Sequence, residues 1–485
     1  MRLKDILKGI VYNSKDDISC LDIGNVTCDS RMAGKGDLFI AVRGHSLNGA
    51  HFINEAAKKG ARVIIAEEDF EPVNGVSKIL VHDTRASLPV IAGNFYGHAS
   101  KKLKTVGVTG TNGKTTITYI LENIINRSGG GTGVIGTINY RLKSRTVPSK
   151  NTTPGPIELE SMLAEMIEGG LSHAVMEVSS HALDQNRVGG ISFDVGIFTN
   201  LSGEHLDYHA TIENYFRAKV RLFDHLKENG TAILNADDKR VLSLRSSVKS
   251  NVITYGVKKE ADVKAEDITT SLEGSSLKAR TPKGDMAIST RLVGIHNISN
   301  ILASIAASIA LGIDAKSIID GVAAASSVPG RMERVDAGQP FKVFVDYAHT
   351  EDALLNILSL LRKTDANRII TVFGCGGNRD KLKRPLMGRA ACRLSDHVVI
   401  TSDNPRFEEP QAIIKDIEKG VNKEFTNYDI VIDRRKAIER ALKLASHGDI
   451  VVIAGKGHEN YQIVKDKVLN FDDRKIAREV MLNAR

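Results

Sequence analysis

The chain has 485 residues, of which 42% are apolar and 26% charged, a composition that excludes wholesale disorder and can fill several hydrophobic cores. At about 150 residues per domain, the length predicts roughly three domains. Lys and Arg total 66 against 58 Asp and Glu, so the net charge is +8, which is mild for this size. A mild positive charge without any Trp fits anionic small molecules at least as well as nucleic acid, and we expect no nucleic-acid partner.

The cysteines and the hydrophobic stretches indicate the cellular compartment of the protein. The four cysteines have neither C-x-x-C nor zinc spacing, and a disulfide framework is not expected in so long a chain. The first ten residues place Leu3, Ile6, Leu7 and Ile10 on one helical face, without the apolar core of a signal peptide. The most hydrophobic stretch, 301–313, is interrupted by serines and falls short of the ~20 residues of a membrane span. We expect a cytoplasmic protein with no membrane partner, and a monomer.

Alternating apolar runs and helical patterns predict an α/β fold in three domains. Residues 1–101 are predicted to form a small N-terminal α/β domain. Residues 102–331 contain near-continuous apolar runs followed by helices, typical of a parallel sheet buried on both faces, and predict a central P-loop ATPase-like domain, with a polar β excursion at 260–290. Residues 332–485 predict a C-terminal Rossmann-like domain, with ligands beyond the carboxyl ends of its strands.

A glycine-rich stretch, Val106-Gly-Val-Thr-Gly110-Thr-Asn-Gly113-Lys114-Thr115-Thr116, leads from an apolar strand directly into a helix. Glycines let backbone N–H groups turn inward around phosphate oxygens, and the helix N-terminus adds the positive end of its dipole. Lys114 can reach the β- and γ-phosphates, and the hydroxyl of Thr115 can bind Mg²⁺. The spacing departs from the standard P-loop because position 108 is Val, but strand, Gly-Lys-Thr and helix are in order. The stretch predicts a nucleoside-triphosphate site.

Charged and imidazole side chains follow the next predicted strands. Glu177 ends an apolar strand beside the phosphate loop, where a carboxylate can ligate Mg²⁺. His205 and His209 have i, i+4 spacing, but Leu206 replaces the Glu of the zincin motif and no third ligand is evident, which favours a structural role on these residues alone. Lys219 lies on an amphipathic helix, where the local sequence predicts a solvated side chain.

Motifs along nearly the whole chain resemble those of the Mur ligases, the family that assembles the peptide of peptidoglycan. They are Cys28-Asp-Ser30-Arg31, the phosphate loop, Asn151-Thr-Thr-Pro154, residues 177–183 and 200–209, Gly294-x-His-Asn297-x-x-Asn300, Pro329-Gly-Arg331 and Asp346-Tyr-Ala-His349-Thr. Asp403-Asn404-Pro405-Arg406 and Gly455-Lys-Gly-His-Glu459 resemble the family members that add meso-2,6-diaminopimelate to UDP-N-acetylmuramoyl-L-alanyl-D-glutamate.

The resemblance implies an ATP-dependent amide ligase. ATP would phosphorylate the D-glutamate γ-carboxylate, and the amine of diaminopimelate would attack the acyl phosphate. A carboxylate becomes a good electrophile only when one of its oxygens is phosphorylated and can leave as phosphate. That step brings the carboxylate close to the ATP phosphates, so their negative charge must be neutralised. By resemblance, Lys114, Thr115 and Glu177 serve the phosphates and a first Mg²⁺. His205 would bind a second, together with Lys219 carbamylated by CO₂.

The resemblance also assigns contacts to the substrates. The ATP contacts are Thr109, Gly110, Thr111, Asn112, Gly113, Lys114, Thr115, Asn300, Arg331 and Asp346. The last three are expected on the adenosine side, with Asn300 toward the base and Asp346 toward the ribose. The contacts to the UDP-sugar dipeptide are Ser30, His45, Ser46, Leu47, Asn151, Thr152, Thr153, Ser179, Gln185 and Arg187. The contacts to diaminopimelate are Arg379, Asp403, Asn404, Pro405, Arg406, Gly455 and Glu459.

The chemistry of the incoming amino acid favours diaminopimelate over lysine. Diaminopimelate carries a carboxylate and an amine at its far end, whereas lysine has only the amine. Arg406 offers a planar fork for that carboxylate, and Glu459 can pair with the amine. With lysine, the guanidinium would be desolvated without an anion, at a cost of about 1–3 kcal/mol. The same ligase using L-lysine is the alternative.

Other functions fit the sequence less well. A folylpolyglutamate synthetase-like ligase shares the ATP-ligase architecture but gives no reason for a separate N-terminal domain or for the Asp-Asn-Pro-Arg motif. A nucleotide-binding regulator without turnover would not need Lys114, Glu177 and His205 together. The family pattern has Pro where this chain has Glu351, which we expect only to loosen a helix start.

Overall fold

The computed structural model describes residues 1–18, 20–44, 47–71, 73, 75–325, 327–421 and 424–483. They form helices layered on largely parallel sheets, so the predicted α/β class is confirmed. Within these residues, none of the helices has the length and apolar character needed to cross a bilayer.

The first sheet has the strand order β1-β5-β4-β3-β2 and is parallel except at β1. Leu3, Ile6 and Leu7 are buried against it, as the helical face in the sequence predicted. Its elements are α1 Leu3–Ile6, β1 Tyr12–Asn13, β2 Val26–Thr27, β3 Leu38–Ile40, α2 Ile53–Lys58, β4 Val63–Ala66, β5 Ser77–Val81 and α3 Thr84–Tyr96.

The central sheet has the order β16-β15-β14-β13-β12-β11-β6-β10-β7-β8-β9. Its strands are β6 Lys104–Thr109, β7 Thr132–Ile135, β8 Asn139–Arg141, β9 Thr146–Pro148, β10 His173–Glu177, β11 Phe193–Phe198, β12 Leu226–Asn235, β13 Asn251–Gly256, β14 Val263–Thr270, β15 Ser275–Arg280 and β16 Met286–Thr290. Its helices are α4 Lys114–Arg127, α5 Pro156–Glu168, α6 Ser180–Asp184, α7 Leu206–His209, α8 Ile212–Val220, α9 Lys239–Leu242, α10 Ile295–Ala310 and α11 Ala315–Ala324.

The central sheet is parallel from β14 to β7 and antiparallel at both ends. β14 to β16 are the β excursion that the sequence predicted at 260–290. The short strands β8 and β9 were not predicted, because three-residue polar strands carry no clear period. Thr105 to Thr109 of β6 are fully buried, since helices cover both faces. The carboxyl ends of β6, β10 and β11 therefore meet at one edge, where a ligand is expected.

The third sheet has the order β17-β18-β22-β19-β20-β21 and is parallel except at β17, and a separate hairpin pairs β23 with β24. Its strands are β17 Glu333–Val335, β18 Lys342–Asp346, β19 Ile369–Phe373, β20 His397–Ile400, β21 Tyr428–Ile430, β22 Ile450–Ala454, β23 Tyr461–Val464 and β24 Lys467–Asn470. Its helices are α12 Glu351–Leu361, α13 Lys383–Leu394, α14 Pro410–Glu418, α15 Arg434–Leu444 and α16 Asp473–Asn483.

Helix α12 begins at Glu351, the position where the family pattern has Pro. The hydroxyl of Thr350 accepts a hydrogen bond from the N–H of Ala353 and so caps the helix. The two acidic residues of the first turn, Glu351 and Asp352, also favour the positive end of the helix dipole. The start of this helix is thus retained without the proline.

A buried ion pair joins α15 to α16 beneath the third sheet. Both oxygens of Asp473 accept hydrogen bonds from the guanidinium of Arg434, at 2.9 and 2.7 Å, and neither side chain is exposed. Asp473→Asn removes the charge and leaves the guanidinium buried without its main partner. We expect a loss of local stability of about 3–5 kcal/mol. Native-state hydrogen exchange of the β22 amides measures it.

The matched control is Glu479→Gln on the same helix. Glu479 pairs with Arg435 where both side chains are about half exposed, so its loss should change stability by about 1 kcal/mol at most. If both variants lost the same amount of hydrogen-exchange protection at the β22 amides, the buried Arg434–Asp473 pair would contribute no more to stability than the exposed Arg435–Glu479 pair.

Candidate functional site

A cavity of about 700 Å³ lies between the carboxyl ends of the central strands and the loops of the third sheet. It brings together residues that are far apart in the sequence but were predicted to share one site. The predicted residues that line it are Thr111, Asn112, Gly113, Lys114, Thr115, Asn151, Thr152, Glu177, Ser179, His205, Lys219, Arg331, Arg379, Asp403, Asn404, Arg406, Gly455 and Glu459.

The phosphate loop connects β6 to α4, as its sequence predicted. Gly110 and Gly113 have φ angles of 138° and 92°, a region that side chains rarely adopt. A Cβ on Gly110 would lie 1.8 Å from Thr199 Oγ1, and one on Gly113 would lie 2.3 Å from Asn300 Oδ1. Only glycine therefore fits at these two positions, where the loop turns against β11 and α10.

Lys114 Nζ folds back onto its own loop. It donates hydrogen bonds of 2.8 and 2.9 Å to the carbonyls of Gly110 and Thr111. Desolvation lowers the pKa of Lys114, although Glu204 and Glu177 oppose the shift. The loop carbonyls thus hold the lysine where a P-loop lysine would meet phosphate.

Glu177 lies at the end of β10 and is almost fully buried. Its Oε1 accepts hydrogen bonds from Thr115 Oγ1 at 3.0 Å and from Thr137 N at 2.9 Å, while Oε2 accepts one from Thr137 Oγ1 at 2.9 Å. Neighbouring ligands of an octahedral Mg²⁺ with bonds of about 2.0–2.1 Å lie about 2.9 Å apart. The separation of the Thr115 and Glu177 oxygens therefore fits two adjacent Mg²⁺ ligands.

Among the described residues, no three His, Cys, Asp or Glu side chains form a metal-binding group. A dedicated zinc site built on His205 and His209 is not supported, because His209 is buried and its Nε2 lies 3.0 Å from Ser180 Oγ.

Lys219 is only 1% exposed, so the solvated side chain that the local sequence predicted is wrong. Helix α8 packs against the phosphate loop, and Lys219 Nζ donates a 2.9 Å hydrogen bond to the same Gly110 carbonyl that Lys114 uses. Burial and then the positive charge of Lys114 lower the pKa of Lys219 well below its usual value. Burial and a neighbouring cation both favour the neutral, nucleophilic form of a lysine amine.

Glu204 and His349 join the central sheet's loops to those of the third sheet. His349 Nε2 lies 2.9 Å from Glu204 Oε1, and the hydroxyl of Tyr215 lies 3.5 Å from Glu204 Oε2. Burial alone would raise the pKa of Glu204, but the hydrogen bond to His349 and the positive charge of Lys114 hold it well below its usual value. Burial also lowers the pKa of His205 to about 4, which leaves a neutral imidazole able to ligate a metal ion.

Arg331 enters the cavity after the central domain's last helix, whereas Asn300 and Asp346 lie behind its lining. Arg331 Nη2 donates a 3.3 Å hydrogen bond to Thr115 Oγ1, and its guanidinium lies 4.7 Å from the centre of the Tyr347 ring. Both Asp346 oxygens accept backbone hydrogen bonds, from Met332 N and Ala348 N. Thr109 and Gly110 likewise lie beneath the cavity floor rather than lining it.

The predicted contacts to the UDP-sugar dipeptide fall into two groups. Ser30 lies on the first sheet's side, where its hydroxyl donates a 2.7 Å hydrogen bond to Glu55, and Leu47 is exposed. His45 and Ser46 lie outside the described residues. The second group lies beside the cavity and is linked by hydrogen bonds among Thr153, Ser179, Gln185 and Arg187, with Asn151 and Thr152 at the lining.

Two arginines, Arg379 and Arg406, line the cavity near Gly376. A Cβ on Gly376 would lie 3.0 Å from Arg406 Nη1 and 3.8 Å from Arg379 Cγ. Burial and the charge of Arg379 lower the pKa of Arg406. Two neighbouring arginines in one cavity favour an anionic ligand, and a carboxylate can accept hydrogen bonds from an arginine fork. Pro405 lies behind them and its carbonyl contacts Gly377.

Arg384, which the sequence did not indicate, holds the loops of both arginines. It is fully buried and binds both oxygens of Glu408 at 2.9 Å, Asp416 at 3.0 Å and the Gly376 carbonyl at 3.2 Å. Arg406 Nη1 in turn donates a 2.9 Å hydrogen bond to the Gly377 carbonyl. The loops after β19 and β20 are therefore fixed to each other.

Glu459 has internal partners that sequence reasoning missed. Its Oε2 accepts hydrogen bonds from Asn404 Nδ2 at 2.8 Å and from the fully buried Lys456 Nζ at 3.0 Å. Burial and the nearby Asp403 raise the pKa of Glu459, although Lys456 opposes the shift. A Cβ on Gly455 would lie 2.7 Å from Asp403 Oδ2, so a glycine there lets the two loops meet.

Other cavity residues were also missed, namely Thr137, Glu204, Tyr347, His349 and Lys383. Glu204 and His349 stand inside motifs that the sequence analysis quoted, next to the residues it selected. Their position in those motifs could have identified them as candidate site residues. Thr137 and Lys383 carry no such signal, since only the fold places them at the cavity.

Models of one protein family match most of the chain. The Mur ligase family catalytic domain matches residues 22–96, the Mur ligase middle domain matches 108–308, and the Mur ligase glutamate ligase domain matches 330–457.

Individual proteins match over the full length. The UDP-N-acetylmuramoyl-L-alanyl-D-glutamate--2,6-diaminopimelate ligase of Clostridium tetani is 42% identical and covers 99% of each chain, and the enzyme of that name from Syntrophomonas wolfei is 43% identical with the same coverage. A solved structure titled as this ligase superposes with a TM-score of 0.71 at 32% identity, over 100% of this chain and 99% of that one. With the phosphate loop, the buried lysine and the paired arginines in one cavity, these matches show that the chain belongs to the Mur ligase family.

Proposed function

We propose that the protein is the ATP-dependent ligase that joins meso-2,6-diaminopimelate to the D-glutamate γ-carboxylate of UDP-N-acetylmuramoyl-L-alanyl-D-glutamate in peptidoglycan synthesis. The observation that carries the proposal is the convergence of Arg379 and Arg406 on the same cavity as the phosphate loop. A triphosphate site supplies activation, and a double guanidinium site selects an amino acid with an additional carboxylate. The reaction requires both in one cavity.

Activation of the γ-carboxylate is the first step. ATP would lie on the phosphate loop, with Lys114 and Arg331 facing the phosphates and Asn300 and Asp346 on the adenosine side. Mg²⁺ held by Thr115 and Glu177 would neutralise phosphate charge. Lys114 and Arg331 would offset the charge that builds up as the carboxylate oxygen attacks the γ-phosphorus.

Lys219 is proposed to be carbamylated and to serve a second Mg²⁺ with His205. The neutral Nζ would form a bond to the carbon of CO₂ and release one proton, which converts a potential cation into an anion. The low pKa of Lys219 supports this step, because only a neutral amine attacks CO₂. The negative carbamate would also relieve the repulsion from Lys114 at the Gly110 carbonyl.

Amide formation is the second step. Arg379 and Arg406 would bind the distal carboxylate of diaminopimelate, and Asp403, Asn404, Gly455 and Glu459 would bind its amine-bearing ends. The attacking amine would displace phosphate from the acyl phosphate through a tetrahedral intermediate. With L-lysine, the two guanidinium groups would remain together without an anion, which disfavours binding.

The folylpolyglutamate synthetase-like alternative is less well supported. It gives no reason for the first sheet, with Ser30 and Leu47, or for the arginine pair at Gly376. We further propose that the protein acts in the cytoplasm, as the cysteine spacing suggested, and that it is a monomer.

The direct test is ATP-driven phosphate release with the UDP-muramyl dipeptide and diaminopimelate, L-lysine or L-ornithine. We expect rapid release with diaminopimelate and at least about a hundredfold lower kcat/KM with lysine, since a desolvated arginine loses its partner. Turnover of lysine equal to that of diaminopimelate would contradict the assignment of substrate.

Arg406→Ala should reduce kcat/KM for diaminopimelate about a hundredfold, because a charge-assisted bidentate contact is removed. KM for ATP should stay within about twofold. Arg389→Ala is the control, since Arg389 is exposed on α13 and pairs only loosely with Glu424. A variant that weakens ATP and diaminopimelate equally would place Arg406 outside the amino-acid site.

Lys219→Ala should abolish ligation, and acetate or formate should restore part of it by placing a carboxylate where the carbamate would lie. Sodium chloride at the same ionic strength controls for salt, and Lys239→Ala, an exposed lysine of the same sheet layer, should be unaffected. A Lys219→Ala enzyme with full activity and no response to acetate would exclude the carbamate.

A further inference from the structure

Lys456 is a fully buried cation to which the proposed reaction assigns no task. It lies in the loop after β22, between Gly455 and Gly457, and none of its side chain is exposed. Its Nζ donates hydrogen bonds to Glu459 Oε2 at 3.0 Å and to Asn404 Oδ1 at 3.2 Å, and lies 5.5 Å from the centre of the Tyr461 ring. A buried charge is tolerated only where such partners compensate it.

Asn404 is fixed by the same contacts. Its Oδ1 accepts from Lys456 and from Ile463 N, while its Nδ2 donates to Glu459 Oε2. If the Asn404 amide were flipped, its NH₂ group would face the donors Lys456 Nζ and Ile463 N, so only one orientation of the amide satisfies these contacts. Lys456, Asn404 and Glu459 thus form a closed triangle of hydrogen bonds at the cavity lining.

Among the charges around Glu459, Lys456 favours the ionised carboxylate. Burial and Asp403 both disfavour the ionised carboxylate, and Lys456 acts against them. A protonated Glu459 would accept an ammonium group poorly. The charged and titratable groups that face Glu459 come from several elements and are Asp403, Arg406, Arg434, Tyr347, Tyr461 and Lys456.

We infer that Lys456 is a positioning residue that holds Glu459 and Asn404 to receive an ammonium group of the incoming amino acid. This inference rests on the proposed function of the cavity. Lys456 pairs with Oε2 of Glu459 and does not itself line the cavity, so it acts through Glu459 and Asn404.

The test replaces Lys456 by Met, which keeps the length and removes the charge. KM for diaminopimelate should rise about ten- to a hundredfold, because charge-assisted hydrogen bonds to Glu459 and Asn404 are lost, while KM for ATP and for the UDP-sugar dipeptide stays within about twofold. Lys456→Gln, which keeps hydrogen-bonding capacity without the charge, is the second variant should Met fold poorly. Lys467→Met on the exposed strand β24 is the matched control and should match the wild type.

The pH profile separates positioning from general damage. Without Lys456 the pKa of Glu459 rises further, so the acid limb of kcat/KM for diaminopimelate should move to higher pH and activity should recover as the pH increases. In a Glu459→Gln background, Lys456→Met should leave the pH profile unchanged. A loss that is uniform across pH, or an unchanged KM, would overturn the inference.

The wild-type substrate panel keeps the two hypotheses apart. If the wild-type protein prefers another amino acid, the proposed function fails. The KM and pH comparison, made with that preferred amino acid, still decides the role of Lys456.

Discussion

The crowding of charge at the phosphate loop is the constraint on which the site depends. Lys114 and Lys219 donate to one carbonyl, that of Gly110, and two ammonium groups buried at one acceptor would repel each other, which favours the neutral form of Lys219. Two carboxylates partly compensate these positive charges, Glu177 at the end of β10 and Glu204 in the loop after β11. The cavity is thereby prepared for ligands that bring opposite charge: phosphates against Lys114, and divalent cations against the carboxylates.

This balance also explains why the loops of the third sheet reach into the central site. Glu204 is held ionised partly by His349, and Thr115 receives a hydrogen bond from Arg331. Asn112 of the phosphate loop likewise donates to Asp352 at the start of α12. The contacts join nucleotide and amino-acid ends through charged or amide side chains. A reaction that transfers an acyl group from phosphate to an amine needs the nucleotide end and the amino-acid end of the cavity at a fixed separation.

The sequence predicted the parts of this site that depend on local order. Strand, glycines and helix follow one another around 106–116, so the phosphate loop could be placed from residues alone, and the polar β excursion predicted at 260–290 is found as β14 to β16. What could not be predicted was burial set by tertiary contacts. Lys219 stands on a helix with a polar face, and only the packing of α8 on the Gly110 loop removes it from water. Arg384 and Lys456 are likewise buried charged residues, and each has an acceptor tens of residues away, Glu408 and Asp416 for Arg384 and Asn404 for Lys456.

Arg406 shows how such distant contacts shape the chemistry. Its φ of 52° is left-handed, a conformation that a residue with a side chain adopts at a cost of roughly 1 kcal/mol or more. The hairpin holds it there, since Arg406 N donates to the Ile463 carbonyl and Lys465 N donates to the Arg406 carbonyl. Ile463 N also binds Asn404, so β23 fixes the neighbours of both the arginine fork and the Glu459 triangle. Burial and then the positive charge of Arg379 lower the pKa of Arg406, so an anion bound near both arginines would relieve an unfavourable pairing of charges. In the proposed function, selection of an amino acid with a second carboxylate would therefore depend on this repulsion in the free protein as well as on the contacts made on binding.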